Sequence, residues 1–415
     1  MAFLIRREFG QYVSVVATNV TSNGAVALPP LRQRANYRPD IQGLRALAVV
    51  LVILDHAGVP GFEGGYIGVD VFFVISGYVI TTLLHRQPGR QLGVNLRHFY
   101  SRRIRRIVPA ATVVLIATLI AAYIAFGENM DSSLFGDVRW SALFAANFRF
   151  IQTSTPYFIP GVPPSLVTQF WSLAVEEQFY LVFPLLVFGL TYVSPPNRRT
   201  VTLATAISMG IILSAWWSYY QTPIHPTSAY YSPFTRFWEL ALGGLLALIP
   251  SHYAQRTPRV NRAAAVVAVL VIMVCVFTFN DQSAYPGTLA WWPCLAAAVL
   301  LWTGVASATG GPATWLAQRP ATYVGDISYS LYLYHYAWLM LPLQLANPPT
   351  SWWAKWLEIA GATLCAVASY RWIENPFRRS RRLEKDFVSV VLLLCVCVAA
   401  SWTATIVIGR IVNVT

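Results

Sequence analysis

Long blocks of apolar residues recur along this 415-residue chain, and most have about the length of a helix that crosses a bilayer. About 20 consecutive apolar residues are needed to span the hydrocarbon core. Hydrophobic residues make up 56% of the sequence and charged residues only 11%, which excludes an ordinary soluble globular protein. We therefore predict an all-α polytopic membrane protein. The apolar blocks cover residues 43–60, 66–84, 107–126, 171–193, 201–220, 233–250, 263–280, 287–306, 323–345, 353–373 and 387–409, with a weaker block at 138–152.

The weak block at 138–152 determines the predicted topology. If it crossed the membrane, the arginine-rich loops at 198–199, 256–262 and 378–382 would lie outside, against the positive-inside rule. Because the block is short, we predict a re-entrant or interfacial segment, which leaves about 11 transmembrane helices. Segment 86–106 contains arginines but no acidic residue and is expected to be cytoplasmic. The N-terminus would then be cytoplasmic and the C-terminus extracytoplasmic, with the chain in the cell (inner or cytoplasmic) membrane.

The net charge of +13 does not indicate a nucleic-acid-binding protein, because the arginines lie in short loops between apolar blocks, where they orient the protein in the bilayer. The five cysteines fall inside apolar blocks without the spacing of a zinc site or a disulfide framework. We therefore expect no metal site and no permanently bound cofactor. The sequence does not predict an oligomeric state.

The sequence divides into three parts. Residues 1–38 are basic but lack the apolar core and cleavage site of a signal peptide, so we interpret them as a cytoplasmic N-terminal extension. Residues 39–380 contain all but the last of the predicted crossings and form the main membrane domain. Residues 381–415 form a basic cytoplasmic loop and the final transmembrane helix.

Arg45 and His56 stand in the first apolar block, 11 residues apart. At about 100° per residue this offset is almost three helical turns, so both side chains leave the helix on one face, about 16 Å apart along its axis. The free energy of inserting an ionisable group into a bilayer is unfavourable by roughly 2.5 to 3.5 kcal/mol. Two such groups on one transmembrane helix therefore favour a functional role. The alternative is a snorkelling arginine and a core histidine. Asp55 points about 100° away and is a weaker candidate to orient the imidazole.

Arg103 and Arg106 lie three residues apart just before the third apolar block. On a helical turn both can face one ligand, and the guanidinium fork matches phosphate oxygens. The alternative is the ordinary basic end of a cytoplasmic helix.

A polar stripe runs through the block at 171–193. Ser172, Glu176 and Tyr180 are spaced by four residues and share one helix face. Such a stripe inside a membrane favours a functional site. Glu177 faces elsewhere, and we expect it to pair with an arginine such as Arg236.

Five charged residues are expected near the outer ends of their helices, namely Asp70, Glu176, Glu177, Arg236 and Glu239. Arg236 and Glu239 are three residues apart and able to pair, and Ser328, Tyr332 and His335 share a face, although an aromatic belt explains the tyrosines equally well. Several ionisable groups at one depth require a polar cavity, which we place in the outer half of the bundle. The residues expected around it are Asp70, Ser172, Glu176, Glu177, Tyr180, Arg236, Glu239, Tyr332 and His335.

Taken in order, these segments resemble the membrane acyltransferase-3 family. Its members move acyl groups, commonly acetyl, onto envelope polysaccharides, lipopolysaccharide O-antigens, glycolipids and some secreted antibiotics. Each segment alone is a weak signal, but together they cover about residues 37–380 in the family's order. The matching segments are 37–45, 65–77, 99–109, 169–181, 236–243, 325–335 and 369–378.

The resemblance implies that Arg45 and His56 are the family's essential Arg/Lys and His pair, and that Arg103 and Arg106 are its Arg-x-x-Arg motif. The chain departs from the family at Gln169, where many relatives have a histidine. Other members continue into an extracytoplasmic SGNH hydrolase-like domain, which we expect this chain, ending at Thr415, to lack.

The resemblance also implies an O-acyltransferase, most often an O-acetyltransferase, that uses acyl-CoA as donor and a hydroxyl of a cell-envelope sugar as acceptor. Arg103, Arg106 and Arg45 would bind the donor. His56 would act as general base or itself take the acyl group, with Glu176 orienting His56 or the acceptor hydroxyl. A small secreted acceptor such as a macrolide is the alternative substrate. A transporter of an organic anion or a lipid-linked sugar is the alternative of another class.

Overall fold

A computed structural model describes residues 38–85, 92–155, 165–250, 252–255, 258–305, 311–349 and 351–412. Every regular element in these ranges is helical, which confirms the predicted all-α class for the described part of the chain. Residues 1–37, which are nearly all of the predicted N-terminal extension, lie outside the described residues. The α-helices are α1 Pro39–His56, α2 Gly68–His85, α3 Leu92–Phe126, α4 Ser133–Ala142, α5 Ala146–Gln152, α6 Phe170–Val193, α7 Arg199–Ile224, α8 Pro226–Tyr231, α9 Pro233–Ala247, α10 His252–Gln255, α11 Pro258–Thr278, α12 Trp291–Gly304, α13 Pro312–Leu316, α14 Arg319–Leu343, α15 Trp352–Ser369, α16 Asn375–Arg379, α17 Arg381–Lys385 and α18 Phe387–Ile411.

Six helical segments of the described residues are long and apolar enough to cross a membrane. The other five predicted blocks also form helices, namely α1, α9, α12, α14 and α15, which are shorter or more polar than these six. The number of about 11 crossings therefore remains a prediction. The six segments are Gly65–His85, Leu96–Asn129, Phe170–Val193, Arg199–Ile224, Arg259–Thr278 and Phe387–Ile411.

The weak block does not form one spanning helix. It divides into α4 and α5, which have 10 and 7 residues, with a turn between them in which Phe144 has a φ of 52°. At 1.5 Å per residue neither helix approaches the roughly 30 Å of a hydrocarbon core. Two short helices are compatible with a re-entrant or interfacial segment, which stays a prediction.

The pair α2 and α9 packs with unusually close backbones. A Cβ added at Gly77 would meet the carbonyl oxygen of Leu240, and a Cβ at Gly243 would meet that of Val74. Small residues at a helix crossing allow this approach, which is common where helices associate within membranes. The crossing fixes α2 beside the site described below.

The pair α1 and α14 is equally close at one point, where a Cβ at Gly325 would meet the carbonyl oxygen of Gln42. Both helices run onward from this contact in the same direction. It therefore brings the polar face of α14 against the face of α1 that contains Arg45 and His56.

After α15 the chain continues as a single π-helical turn, Tyr370–Glu374, before α16. Such π turns often mark functional positions because the extra residue redirects side chains. Here Glu374 is fully buried and turns toward α3 and α14.

Candidate active site

A cavity of about 210 Å³ lies between α1, α2, α3, α6 and α14. We call it the arginine cavity, because Arg45, Arg103 and Arg106 all line it. The cavity thus joins the donor-binding residues predicted from two separate segments. Its other polar lining residues are Gln42, Ser76, Ser172, Glu176, Glu177, Tyr180, Ser328, Tyr329 and Tyr332.

Arg103 contacts three side chains of α6. Its Nη2 lies 3.7 Å from Oε1 of Glu176 and 3.7 Å from Oε1 of Glu177. Its guanidinium carbon lies 3.1 Å from the ring centroid of Tyr180, in cation–π geometry. The Nε of Arg103 is buried and has no hydrogen-bond partner among the described residues.

Glu176 accepts hydrogen bonds from two hydroxyls beside this arginine. The Oγ of Ser76 donates at 2.5 Å, and the hydroxyl of Tyr180, one turn along the same helix, also donates. The predicted stripe is therefore a local network in which Tyr180 touches both Glu176 and Arg103. Ser172, the third member, instead bonds to the Tyr332 hydroxyl at 2.7 Å.

Arg106 faces Glu374 across the cavity wall. Its Nε lies 3.7 Å from Oε1 of Glu374, whose other oxygen accepts from Ser330 at 2.9 Å. Arg45 donates to the side chain of Gln42 at 3.5 Å. The charges of three arginines are thus matched in number by those of three glutamates around the cavity.

The predicted separation of the arginines from Glu176 and Glu177 is wrong. The sequence placed Arg103 in a cytoplasmic segment and both glutamates near the outer end of their helix, whereas all three meet in one cavity. The reason is that α3 begins at Leu92, well before its apolar block, so its arginines lie on a continuous helix antiparallel to α6. The hydroxyl of Tyr100 on α3 donates to the carbonyl of Leu181 on α6 at 2.9 Å.

The Nδ1 of His56 contacts a second histidine. It does not contact Glu176, the residue expected to orient it. That nitrogen lies 3.0 Å from Nε2 of His335, and the two rings stack with centroids 5.2 Å apart. The ring of Tyr336 packs edge-on against His56 at 4.9 Å. The sequence placed His335 on a polar face of its helix, but the spacing gave no indication of this partner.

Tyr332 connects the histidine pair to the wall of the arginine cavity, since its ring centroid lies 5.3 Å from that of His335. Tyr332, one turn before His335, lines the cavity and packs against Phe72 with ring centroids 6.3 Å apart. Its hydroxyl also donates to the backbone oxygen of Gln169 at 3.3 Å. The described lining of the cavity includes this tyrosine but not His56.

The departure at Gln169 lies in the same region. This buried side chain donates from Nε2 to the carbonyl of Leu333 at 3.1 Å, while its Oε1 has no hydrogen-bond partner among the described residues. Gln169 therefore connects the start of α6 to α14 next to Tyr332.

Arg236 forms a separate buried cluster. Its Nη1 lies 3.0 Å from both Asp70 and Glu239, and its guanidinium carbon lies within about 5.5 Å of the rings of Trp171 and Tyr230. The expected pairing of Arg236 with Glu239 is confirmed. The expected pairing of Glu177 with Arg236 is wrong, since Glu177 faces Arg103. The cluster is not among the residues that line the arginine cavity.

Two residues of the site were missed by sequence reasoning, namely Ser76 and Glu374. Both lie in segments that contribute to the family resemblance, at 65–77 and 369–378. Neither belongs to a repeated spacing that would have distinguished it from its neighbours. Only the packing of α2 on α6, and the π turn after α15, bring them to the arginines.

Comparison with known proteins finds relatives that match most of this chain. The chain is 34% identical over 361 residues to the peptidoglycan O-acetyltransferase OatA of Listeria monocytogenes, covering 84% of this chain and 57% of the relative. It is 32% identical over 360 residues to the putative peptidoglycan O-acetyltransferase YrhL of Bacillus subtilis, covering 83% and 56%. It is 29% identical over 353 residues to the O-acetyltransferase OatA of Staphylococcus aureus, covering 83% and 57%.

The chain therefore spans a little over half the length of these curated relatives. No solved structure matches it significantly. A model of the acyltransferase domain matches residues 38–406, which includes every segment that lines the arginine cavity and the histidine pair. This chain belongs to the acyltransferase-3 family.

Proposed function

We propose that this protein is a membrane O-acetyltransferase that transfers an acetyl group from acetyl-CoA to a hydroxyl of a cell-wall glycan, in the cytoplasmic membrane. The acceptor class is supported by the relatives, two of which are named as peptidoglycan O-acetyltransferases. Among the envelope sugars that the sequence suggested as acceptors, we therefore favour peptidoglycan.

The observation that supports the proposal most strongly is the convergence of three arginines on one cavity near the contact between His56 and the buried His335. Among the described residues, the buried Nε–H of Arg103 and the buried Oγ of Ser328, both in this lining, have no hydrogen-bond partner. Native proteins seldom leave buried polar groups unsatisfied, so a polar ligand is expected there.

The carboxylates beside the arginines do not compete strongly with such a ligand. The separations of 3.7 Å exceed hydrogen-bonding distance, so Glu176, Glu177 and Glu374 neutralise charge without occupying the N–H donors. Phosphate or pyrophosphate oxygens of an acyl-CoA would accept from these donors in fork geometry. Arg45 and His56 lie on one face of α1, and Tyr332 lies between the cavity and the histidines. The pantetheine arm of acyl-CoA would therefore pass Tyr332 to bring the thioester to the imidazole of His56.

At the imidazole, the acceptor hydroxyl loses its proton to His56 while its oxygen bonds to the acyl carbon. The carbon–sulfur bond of the thioester breaks, and coenzyme A leaves with the proton. The route in which His56 itself takes the acyl group uses the same residues and gives the same products. A positioned base contributes typically about 10² to 10⁴-fold to rate.

The test uses the full-length chain purified and reconstituted in liposomes, with acetyl-CoA labelled in the acetyl group and soluble peptidoglycan fragments as acceptor. We expect labelled ester on the glycan and stoichiometric release of coenzyme A by the wild type, and loss of nearly all turnover in His56→Ala. A matched control is His225→Ala, which removes an imidazole near the end of α7. A wild-type protein that transfers no acetyl group to any glycan, while moving solutes across the liposome, would favour a transporter instead.

A further inference from the structure

The partly buried His56 and the fully buried His335 share one hydrogen bond, and a backbone carbonyl oxygen determines its direction. The Nδ1 of His56 lies 3.0 Å from Nε2 of His335. On the opposite side of its ring, the Nδ1 of His335 lies 2.7 Å from the backbone carbonyl oxygen of Tyr332. Both contacts are of ordinary hydrogen-bond length.

A carbonyl oxygen only accepts, so His335 has its proton on Nδ1 and donates to Tyr332. A neutral imidazole has one N–H and one acceptor nitrogen, and the Nε2 of neutral His335 is then the acceptor. The Nδ1 of His56 must therefore donate. This leaves the lone pair of neutral His56 on Nε2.

We propose that His335 is a positioning residue that holds His56 in the tautomer with the proton on Nδ1, so that Nε2 is the reacting nitrogen. The inference rests on the proposed function of His56. Nε2 takes the hydroxyl proton as the acceptor oxygen bonds to the acyl carbon and the thioester carbon–sulfur bond breaks, and it returns that proton to the departing thiolate.

The groups around His56 agree with this assignment. Asp55 lies on the Nε2 side, with Oδ2 at 3.9 Å, beyond hydrogen-bonding distance. At this distance the Asp55 side chain does not determine the tautomer of the neutral ring. Tyr336 packs edge-on and restricts rotation of the imidazole.

The arrangement follows the general logic of an oriented base, in which a third group accepts from the nitrogen opposite the reacting one. In this chain a neutral histidine anchored to its own helix backbone would take that role. When His56 becomes an imidazolium, its Nδ1–H still has an acceptor in His335, so this donor stays satisfied during the reaction.

The first test compares two replacements of His335. Gln has a side-chain oxygen that can accept from Nδ1 of His56, whereas Leu has a similar size and no acceptor. For His335→Leu we expect kcat to fall about 10²-fold or more with an unchanged KM for acetyl-CoA, and His335→Gln should retain clearly more activity. Trp338→Leu removes an exposed ring from the same helix and serves as the matched control.

The second test reads the tautomer directly and does not depend on activity. The chain has six histidines, so ¹⁵N-histidine labelling gives a small set of signals, and that of His56 is identified by its loss in His56→Ala. We expect the Nδ1–H tautomer in the wild type and a shift toward Nε2–H in His335→Leu.

Each result separates this inference from the proposed function. An Nε2–H tautomer in the wild type, or a His335→Leu variant as active as the wild type beside an inactive His56→Ala, would overturn the positioning role alone. A fully active His56→Ala variant would instead overturn the catalytic role of His56. Equal loss of activity in the Gln and Leu variants, with both folded, would also contradict the inference.

Discussion

The guanidinium carbon of Arg103 lies 3.1 Å from the ring centroid of Tyr180, which sits one turn after Glu176 on the same face of α6. This contact fixes the plane of an arginine that also faces Glu176 and Glu177. The side chain is therefore oriented before any donor binds. Preorganisation of this kind lowers the entropic cost of binding, because the rotamer is already ordered.

We predict that Arg103→Lys weakens binding of acetyl-CoA although it keeps the charge. Lysine cannot form the guanidinium fork or stack as arginine does. A lost hydrogen bond to a charged group is worth about 1.5 to 3 kcal/mol, so KM for the donor should rise about 10- to 150-fold with a smaller change in kcat. Steady-state kinetics with varied acetyl-CoA check this.

The matched control for Arg103→Lys is Arg102→Lys, since Arg102 is the neighbouring arginine on α3 and is exposed. It should behave like the wild type. An unchanged donor KM in Arg103→Lys would contradict a donor-binding role for this residue.

The sequence predicted the relationship between two site residues when both lie on one helix, and did not when they lie on different helices. Arg45 with His56, and Arg103 with Arg106, share a helix, so their spacing alone predicted their common faces. The contact between Arg103 and Glu176 joins helices that are distant in sequence. It depends on α3 extending well before its apolar block, and hydropathy cannot reveal this because arginines lower the local average.

The histidine pair shows the same limit more strongly. His335 shares a face with Tyr332, which periodicity predicted, but its partner lies 279 residues earlier in the chain. Their meeting depends on the close contact of Gly325 with the backbone at Gln42. Glycines in an apolar helix do not by themselves indicate which helix they approach.

We predict that Glu374→Ala reduces activity mainly through loss of folded protein. Glu374 is fully buried and balances Arg106, so its removal leaves a poorly compensated cation beside the cavity. Breaking a buried pair typically costs about 3 to 5 kcal/mol, and Arg106 is partly exposed, which places the expected cost at the lower end. Thermal unfolding of the purified variant in detergent measures it.

Glu374→Gln is the matched variant, because it keeps the hydrogen bond from Ser330 while removing the charge. It should be more stable than Glu374→Ala. If both variants unfold at the wild-type temperature, the buried pair contributes nothing to stability.

We predict that the Arg236 cluster is structural and does not take part in acyl transfer. Arg236→Met leaves Asp70 and Glu239 facing each other without a cation and should cost several kcal/mol or abolish stable insertion. A buried ion cluster replaced as a whole by apolar residues is often neutral or stabilising. The triple variant Arg236→Met, Asp70→Leu, Glu239→Leu should therefore recover stability and kcat together, and a stable but inactive triple variant would place the cluster in the reaction.

The last prediction concerns the crossing of α2 and α9. Gly77→Ala places a methyl group against the carbonyl oxygen of Leu240, which is main chain and cannot rotate away. Overpacking typically costs about 1 to 3 kcal/mol, and we expect the upper part of this range here. Because Ser76 is the neighbour of Gly77 and donates to Glu176, a shift of α2 should also disturb the arginine cavity and lower kcat. Gly189→Ala on α6 is the matched control, since an added Cβ there has no neighbour within 4 Å in the described part of the chain. It should leave both the unfolding temperature and the activity near wild type. A Gly77→Ala variant as stable as Gly189→Ala would show that the two helices are not packed through this glycine.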